Sequence, residues 1–262
     1  MRIIVCIKQV PDTTEVKINP ETGTLVRDGV PSIINPFDEN AIEAGLQLVE
    51  EHGGEVIVIT MGPPQAEQAL RDALAMGANR AILISDRAFA GADTLATSYV
   101  LAQAVERIGD FDLIFCGKQA FDGDTGQVGP GLAEHLGIPQ ITYAIDIEEV
   151  TDREIQVRRL LSDGFEVVRT RLPCLITAVK QLNEPRMPGL KSRMKAKKAE
   201  VEQWTCDCIG ALADRCGLDG SPTSVMRVFS PTRQVEGERI EGETAEEKVR
   251  RLIDKLRDAQ VL

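Results

Sequence analysis

Apolar residues fall in short runs separated by polar stretches of helical period. Arg2–Val10 (RIIVCIKQV), Glu55–Thr60 (EVIVIT), Arg80–Ser85 (RAILIS) and Phe111–Cys116 (FDLIFC) are strand-length runs rich in Ile, Val and Leu. Between them lie amphipathic segments. From Pro36 to Glu51, Ala41, Ile42, Gly45, Leu46 and Val49 share one face, with Asn35 available as cap. Pro63 and Pro64 open a second helix that turns Leu70, Ala73 and Leu74 inward. A third starts near Asp93, where Asp93 and Thr94 can both cap, and presents Leu95, Val100, Leu101 and Val105. This alternation predicts an α/β fold with a doubly wound, mostly parallel sheet.

The period then changes to two. ITYAIDIEEV, EIQVRRLL and FEVVRTRL, broken at Asp152 and at Asp163-Gly164, predict an antiparallel meander before PCLITAV returns to the core. EVKINPETGTLVRDGV (15–30) reads as a hairpin turning between Asn19 and Gly23. Beyond Asn183 the alternation stops. NEPRMPGLKSRMKAKKAEVEQW is dense in proline, methionine and lysine, and no sheet period is expected until SVMRVFS (224–230). ETAEEKVRRLIDKLRDA sets Val249, Leu252, Ile253 and Leu256 at helical spacing, acids before bases as the helix dipole prefers. The expected division is an α/β domain, 1–183, and a C-terminal arm, 184–262.

Charge narrows the functional classes. With 41 acidic and 30 basic residues the formal charge is −11, and only 4% of residues are aromatic. Both facts argue against nucleic acid as a partner, despite the basic run from Lys191 to Lys198. No apolar run reaches membrane-spanning length and the N-terminus lacks a signal-peptide pattern, so no membrane insertion and a cytoplasmic location are expected. Cys6, Cys116 and Cys174 lie in core strands and are expected to be reduced and buried. Cys206, Cys208 and Cys216 read either as free thiols or as three ligands of a metal whose fourth ligand is missing nearby.

One segment carries candidate chemistry. In CGKQAFDGDTGQVGPGLAEHLGIPQ, from Cys116 to Gln140, a buried strand runs into a glycine-rich acidic loop and then a helix. Gly123, Gly126, Gly129 and Gly131 remove side chains where backbone amides can approach a ligand, and a helix N-terminus near Thr125 to Val128 favours a pyrophosphate. The loop is neither GxGxxG nor a P-loop, and an ordinary strand-to-helix turn has the same composition. No nucleophile–base pair, metal triad or defined carboxylate pair emerges from the sequence.

Five segments in this order resemble the electron transfer flavoprotein beta subunit: IVCIKQVPDTTEVKI, INPFDENAIEAGLQL, LAMGANRAILI, GKQAFDGDTGQVGPGLAEHLGIP, and VVRTRLPCLITAVKQLNEPR leading into MKAKK. The resemblance spans nearly the whole chain. It implies a heterodimer with a larger, FAD-carrying alpha subunit, and a second nucleotide here that is AMP in one branch and FAD in the flavin-bifurcating branch. Transferred positions are Cys6, Asn35, Pro36, Phe37, Asp38 and Met61. The cradle follows: Gly117, Lys118, Gln119, Ala120, Phe121, Asp122, Gly123, Asp124, Thr125, Gly126, Gln127 and Val128. The small residues Gly123, Thr125 and Gly126 are similar to the bifurcating branch. So are Thr94, which can cap its helix or reach a flavin ring, and Thr97 one turn later. That branch implies NADH as substrate and ferredoxin or flavodoxin as low-potential acceptor, with acids such as Asp122 and Asp124 opposing a reduced anionic flavin. Leu190 matches the family's anchor for an acyl-CoA dehydrogenase, beside Lys191, Arg193, Lys195, Lys197 and Lys198. A solvated basic helix is the plainer reading of that run, and Pro188-Gly189 departs from the family loop. An AMP-holding scaffold, and more remotely an ATP-binding enzyme or nucleotide sensor, remain alternatives.

Overall fold

The structure, a computed structural model, describes residues 1–12, 31–226 and 237–262. The elements in order are β1 (Arg2–Cys6), β2 (Gln9–Pro11), β3 (Ser32–Ile34), α1 (Pro36–His52), β4 (Glu55–Met61), α2 (Glu67–Met76), β5 (Arg80–Ile84), α3 (Thr94–Ile108) and β6 (Leu113–Gly117). They continue with α4 (Val128–Leu136), β7 (Gln140–Val150), β8 (Glu154–Leu160), β9 (Phe165–Arg171), β10 (Cys174–Ala178), α5 (Leu190–Ala196), β11 (Glu202–Trp204), α6 (Cys206–Ile209) and α7 (Ala245–Asp258). Contacts divide the chain into two compact units, Met1–Met226 and Arg227–Leu262.

The first unit is built on one nine-stranded sheet of order β11-β5-β4-β1-β6-β10-β7-β8-β9. The strands from β11 to β7 pair in parallel, and β8 and β9 continue antiparallel, as the period-two meander predicts. Strand alternation sorts the core into two layers. Ile3, Val5, Val56, Val58, Leu113 and Phe115 pack with α1 and α2 residues such as Ile42, Leu46 and Leu70. Their neighbours Ile4, Cys6, Ile57, Ile59, Ile114 and Cys116 face Val100, Leu101 and Leu132 of α3 and α4. The chain advances β1-β4-β5 in one direction, then α3 carries it back so that β6 lies on the other side of β1. That reversal is the topological switch point, where doubly wound sheets open a crevice at their strand C-termini.

Three expectations change. The segment after Asn183 contributes a strand, because β11 pairs parallel with β5 from Glu202↔Ile82 to Trp204↔Ile84 and buries Trp204 in the α3/α4 layer. A three-residue edge strand is too short for periodicity to reveal. Ser224–Met226 forms no strand, while 227–230 and the hairpin expected over 15–30 lie outside the described residues. Leu95 is half exposed and contributes little to the α3 core face. α7 stands as its own helix, capped by Thr244, whose hydroxyl accepts from the Glu247 amide at 3.2 Å.

Candidate nucleotide-binding site

The strand ends at the switch point are tied together by one buried carboxylate. Asp38, in the first turn of α1, accepts from the Lys8 amide beyond β1 at 2.7 Å, from the Gly117 amide ending β6 at 3.1 Å, and from the Asn35 side-chain amide at 2.9 Å. Burial, only partly offset by those donors, raises its pKa to about 7. A side chain at Gly117 cannot coexist with this arrangement, since a Cβ there would lie 2.2 Å from Asp38 Oδ1 and 2.9 Å from its amide nitrogen. The glycine is what lets β6 touch α1.

Asn35 occupies the N-cap position of α1 but its side chain makes no capping bond. It reaches across instead: Nδ2 also donates to the Gln119 carbonyl at 2.9 Å and Oδ1 accepts from the Phe121 amide at 3.0 Å. The sequence reading of Asn35 as a cap is therefore corrected. Its amide is spent on shaping the cradle, because only a side chain with both donor and acceptor can satisfy Gln119 O and Phe121 N together.

The cradle then projects outward. Asp124, at φ 53°, and Gly126, at φ 63°, turn the chain, and the Asp124 amide closes on Ala120 O at 2.8 Å. Residues Phe121 to Thr125 are exposed, and a Cβ at Gly123 would meet no atom within 4 Å. α4 begins without a side-chain cap, so its first-turn amides at Val128 and Gly129 point out of the helix with no group of the helix to receive them. The amides of Thr125, Gly126 and Gln127 likewise have no protein acceptor among the described residues. Open backbone donors at a helix N-terminus suit a pyrophosphate, and Gly123 faces open space.

The loop acids are not free charges. Asp122 pairs with Lys8 Nζ at 2.7 and 2.9 Å, and Asp124 accepts from the Gln119 side chain, so Asp122 at least opposes negative charge less than its sequence suggests. Lys8 was not among the sequence candidates. Its place two residues past the end of a buried strand was the available signal. Tyr143 was missed as well: held at φ 60° by its amide bond to Thr177 Oγ1 at 2.9 Å, it lies 5.3 Å from Lys118 Nζ, with Phe37 at 5.8 Å.

α3 borders the crevice opposite. Asp93, not Thr94, caps it, accepting from Leu95 and Ala96 amides at 3.0 and 3.1 Å. Thr94 is thereby released, and its hydroxyl donates to Gln127 Oε1 at 2.8 Å, across the gap between the two helix starts. Thr97 lies half-buried a turn further in, bonded through its amide to Asp93 O at 2.9 Å. Cys6 and Cys116 are register partners on the crevice floor. Their mutual hydrogen bond, then burial, holds the Cys116 thiol far above its usual range. Met61 ends β4 half-buried beside them, and Pro36 is exposed at the start of α1.

Residues 22–207 match the electron transfer flavoprotein domain family. Over its full length the chain is 50% identical to the caffeyl-CoA reductase-Etf complex subunit CarD of Acetobacterium woodii, which it covers completely. It is 52% identical to the electron transfer flavoprotein subunit beta of Clostridium acetobutylicum across 91% of this chain and 90% of that one. It is also 51% identical to protein FixA of Azorhizobium caulinodans across 90% and 86%. The chain belongs to the electron transfer flavoprotein beta-subunit family.

A beta subunit works with an alpha subunit and with electron-transfer partners. The segment after Asn183 is anchored to α1 and α2. Asn183 exchanges three hydrogen bonds of 2.8 to 3.0 Å with Asn40 of α1, and Arg186 grips the buried Glu43 through Nε at 2.8 Å and Nη2 at 3.0 Å. On the far side, Arg71 of α2 donates to the carbonyls of Ala196, Lys197 and Ala199 at 3.0 to 3.2 Å, at the C-terminus of α5. Between these anchors Leu190 is 77% exposed, flanked by exposed Lys191, Arg193 and Lys195. Among the described residues no group of three or more His, Cys, Asp or Glu is placed to hold a metal. Cys206 and Cys216 are buried free thiols and Cys208 is an exposed one. No described helix is long and apolar enough to cross a membrane.

Proposed function

We propose that this beta subunit holds FAD and serves a flavin-bifurcating electron transfer flavoprotein, passing electrons between NADH, ferredoxin or flavodoxin, and an acyl-CoA dehydrogenase. The observation that carries the reading is the division of labour at α3: Asp93 takes the cap, and the Thr94 hydroxyl, bonded to Gln127 Oε1, stands between the starts of α3 and α4. Gly117 to Val128 would hold the pyrophosphate through backbone amides, with Thr94 at the ring end and Asn35 and Asp38 holding the cradle in shape. Bound FAD would supply the conversion between a hydride donor and one-electron acceptors. The chain's own part is to orient that group, and the Lys8–Asp122 pair keeps a carboxylate from standing unpaired beside it.

The partner reading rests on the exposed Leu190 within a basic surround, suited to a transient docking site with an acidic rim. The relative named for a caffeyl-CoA reductase complex supports an acyl-CoA dehydrogenase of that kind. A cytoplasmic location fits these partners. The chain, co-purified with its alpha subunit and extracted with acid, should release two FAD per heterodimer and no AMP. One FAD and one AMP would overturn the reading in favour of an AMP-holding scaffold that cannot drive ferredoxin reduction with NADH.

A further inference from the structure

The segment following Cys216 returns to the start of α3 and fastens on the residue that caps it. Asp93 Oδ1 is engaged by the helix amides, whereas Oδ2 accepts the Thr223 hydroxyl at 2.8 Å and the Thr223 amide at 3.1 Å. The Asp93 amide in turn donates to Ser221 Oγ at 2.8 Å, and that hydroxyl donates to the Gly217 carbonyl at 2.6 Å. Gly91, two residues before Asp93 and at φ 75°, packs under the same segment: a Cβ there would lie 2.6 Å from Leu218 Cγ. Helix donors and Thr223 together hold the Asp93 carboxyl below its usual range against the opposing effect of burial.

On the other side of the same turn, Thr94 Oγ1 bonds Gln127, and Ser98 Oγ lies 2.6 Å from Thr94 O and 3.3 Å from Val128 O. The start of α3 is therefore held between two sets of bonds, one to the start of α4 and one to Ser221 and Thr223. With every Asp93 oxygen committed, the only backbone separating the clamp from the Thr94 hydroxyl is a single peptide unit. One planar peptide unit passes a shift of Asp93 to the Cα of Thr94.

We infer that Ser221 and Thr223 are positioning residues for the nucleotide site: through Asp93 they set where the Thr94 hydroxyl stands and so how tightly the nucleotide between α3 and α4 is retained. The inference rests on the FAD reading of the cradle.

The test is FAD retained by the heterodimer after desalting over a series of dilutions, in wild type and in Thr223→Val, Thr223→Ser, Thr94→Val and Thr94→Val/Thr223→Val. Thr223→Val keeps the shape and the amide bond but deletes the hydroxyl donor. It should weaken retention about tenfold, the change that 1.4 kcal/mol produces, and Thr223→Ser should restore it. In the Thr94→Val background the Thr223→Val change should add nothing, because the two residues act through one element. A general loosening of the fold would instead lower the unfolding midpoint, fail to be rescued by the Thr94 background, and weaken retention additively. Unchanged retention in Thr223→Val, or strict additivity, overturns the clamp. A wild-type heterodimer with AMP in place of the second FAD overturns the FAD reading itself, and the two failures are thereby distinguished.

Discussion

Asn35 Nδ2 stands 2.9 Å from Asp38 Oδ1 and 2.9 Å from the Gln119 carbonyl, so one side-chain amide joins the carboxylate at the switch point to the loop that leaves it. The relationship couples the position of the cradle to the first turn of α1.

Asn35→Ala should accordingly lose nucleotide more than stability. The substitution leaves the Phe121 amide and Gln119 carbonyl without partners, at about 1–3 kcal/mol for each buried group, and solvent can satisfy part of that at the exposed loop. Nucleotide content after gel filtration should fall at least tenfold while the unfolding midpoint moves modestly. Full retention would show that the cradle keeps its shape alone.

The raised pKa of Asp38 gives stability a pH dependence of definite sign. The folded state binds this proton up to about pH 7, whereas the unfolded chain releases it near 3.8, so between those values the folded state holds more protons. The stabilisation is complete below pH 3.8 and is lost as pH rises toward 7, with a slope of at most about 1.4 kcal/mol per pH unit. Lys8 and Cys116 are its ionisable neighbours. Urea unfolding across pH 5 to 8, comparing wild type with Asp38→Asn, should show this decline only in wild type. A parallel profile in the variant would contradict it.

Gly117 and Gly123 should respond oppositely to alanine. Gly117→Ala drives a methyl into Asp38 and its amide, which should destabilise the fold by about 1–3 kcal/mol as overpacking does. Gly123→Ala meets open space and should leave thermal unfolding unchanged while lowering FAD retention. Equal effects on stability would remove the distinction.

Arg186→Ala strands Glu43, whose side chain is 5% exposed, and should cost about 3 kcal/mol in chemical unfolding. Adding Glu43→Gln should recover part of it. Independence of the two substitutions would mean the pair contributes nothing.

Leu190→Ala and Lys191→Glu act on exposed side chains and should leave unfolding within about 0.5 kcal/mol of wild type. Electron transfer to an acyl-CoA dehydrogenase should drop roughly tenfold through KM. Wild-type transfer in both variants would remove Leu190 as the anchor.

Much of the sheet was legible because buried parallel strands are written as unbroken apolar runs, and Ile3–Val5, Val56–Ile59 and Leu113–Cys116 needed no long-range information. The glycine-rich loop after β6 was legible from composition instead, its glycines clustering between a buried strand and a helix start. What the sequence concealed were roles assigned by distant partners. Asn35 satisfies the local rule for a cap, yet Gln119 and Phe121, some 85 positions away, claim its amide. Asp93 and Thr94 are equally good caps on paper; Asp93 serves, its second oxygen held by the distant Thr223. β11 is three residues long and exists because the edge of β5 offers it a ladder.

That ladder, with the Asn183 and Arg186 contacts on α1, also changes what the exposed Leu190 segment is. Bound at both ends, the chain from Pro185 to Val201 has its conformational freedom removed when the protein folds, not when a partner arrives. A partner that docked at Leu190, as proposed above, would forfeit little backbone entropy, and more of the free energy of contact would remain to hold the complex. On that reading a small contact would suffice, since little of its free energy is consumed in ordering the loop.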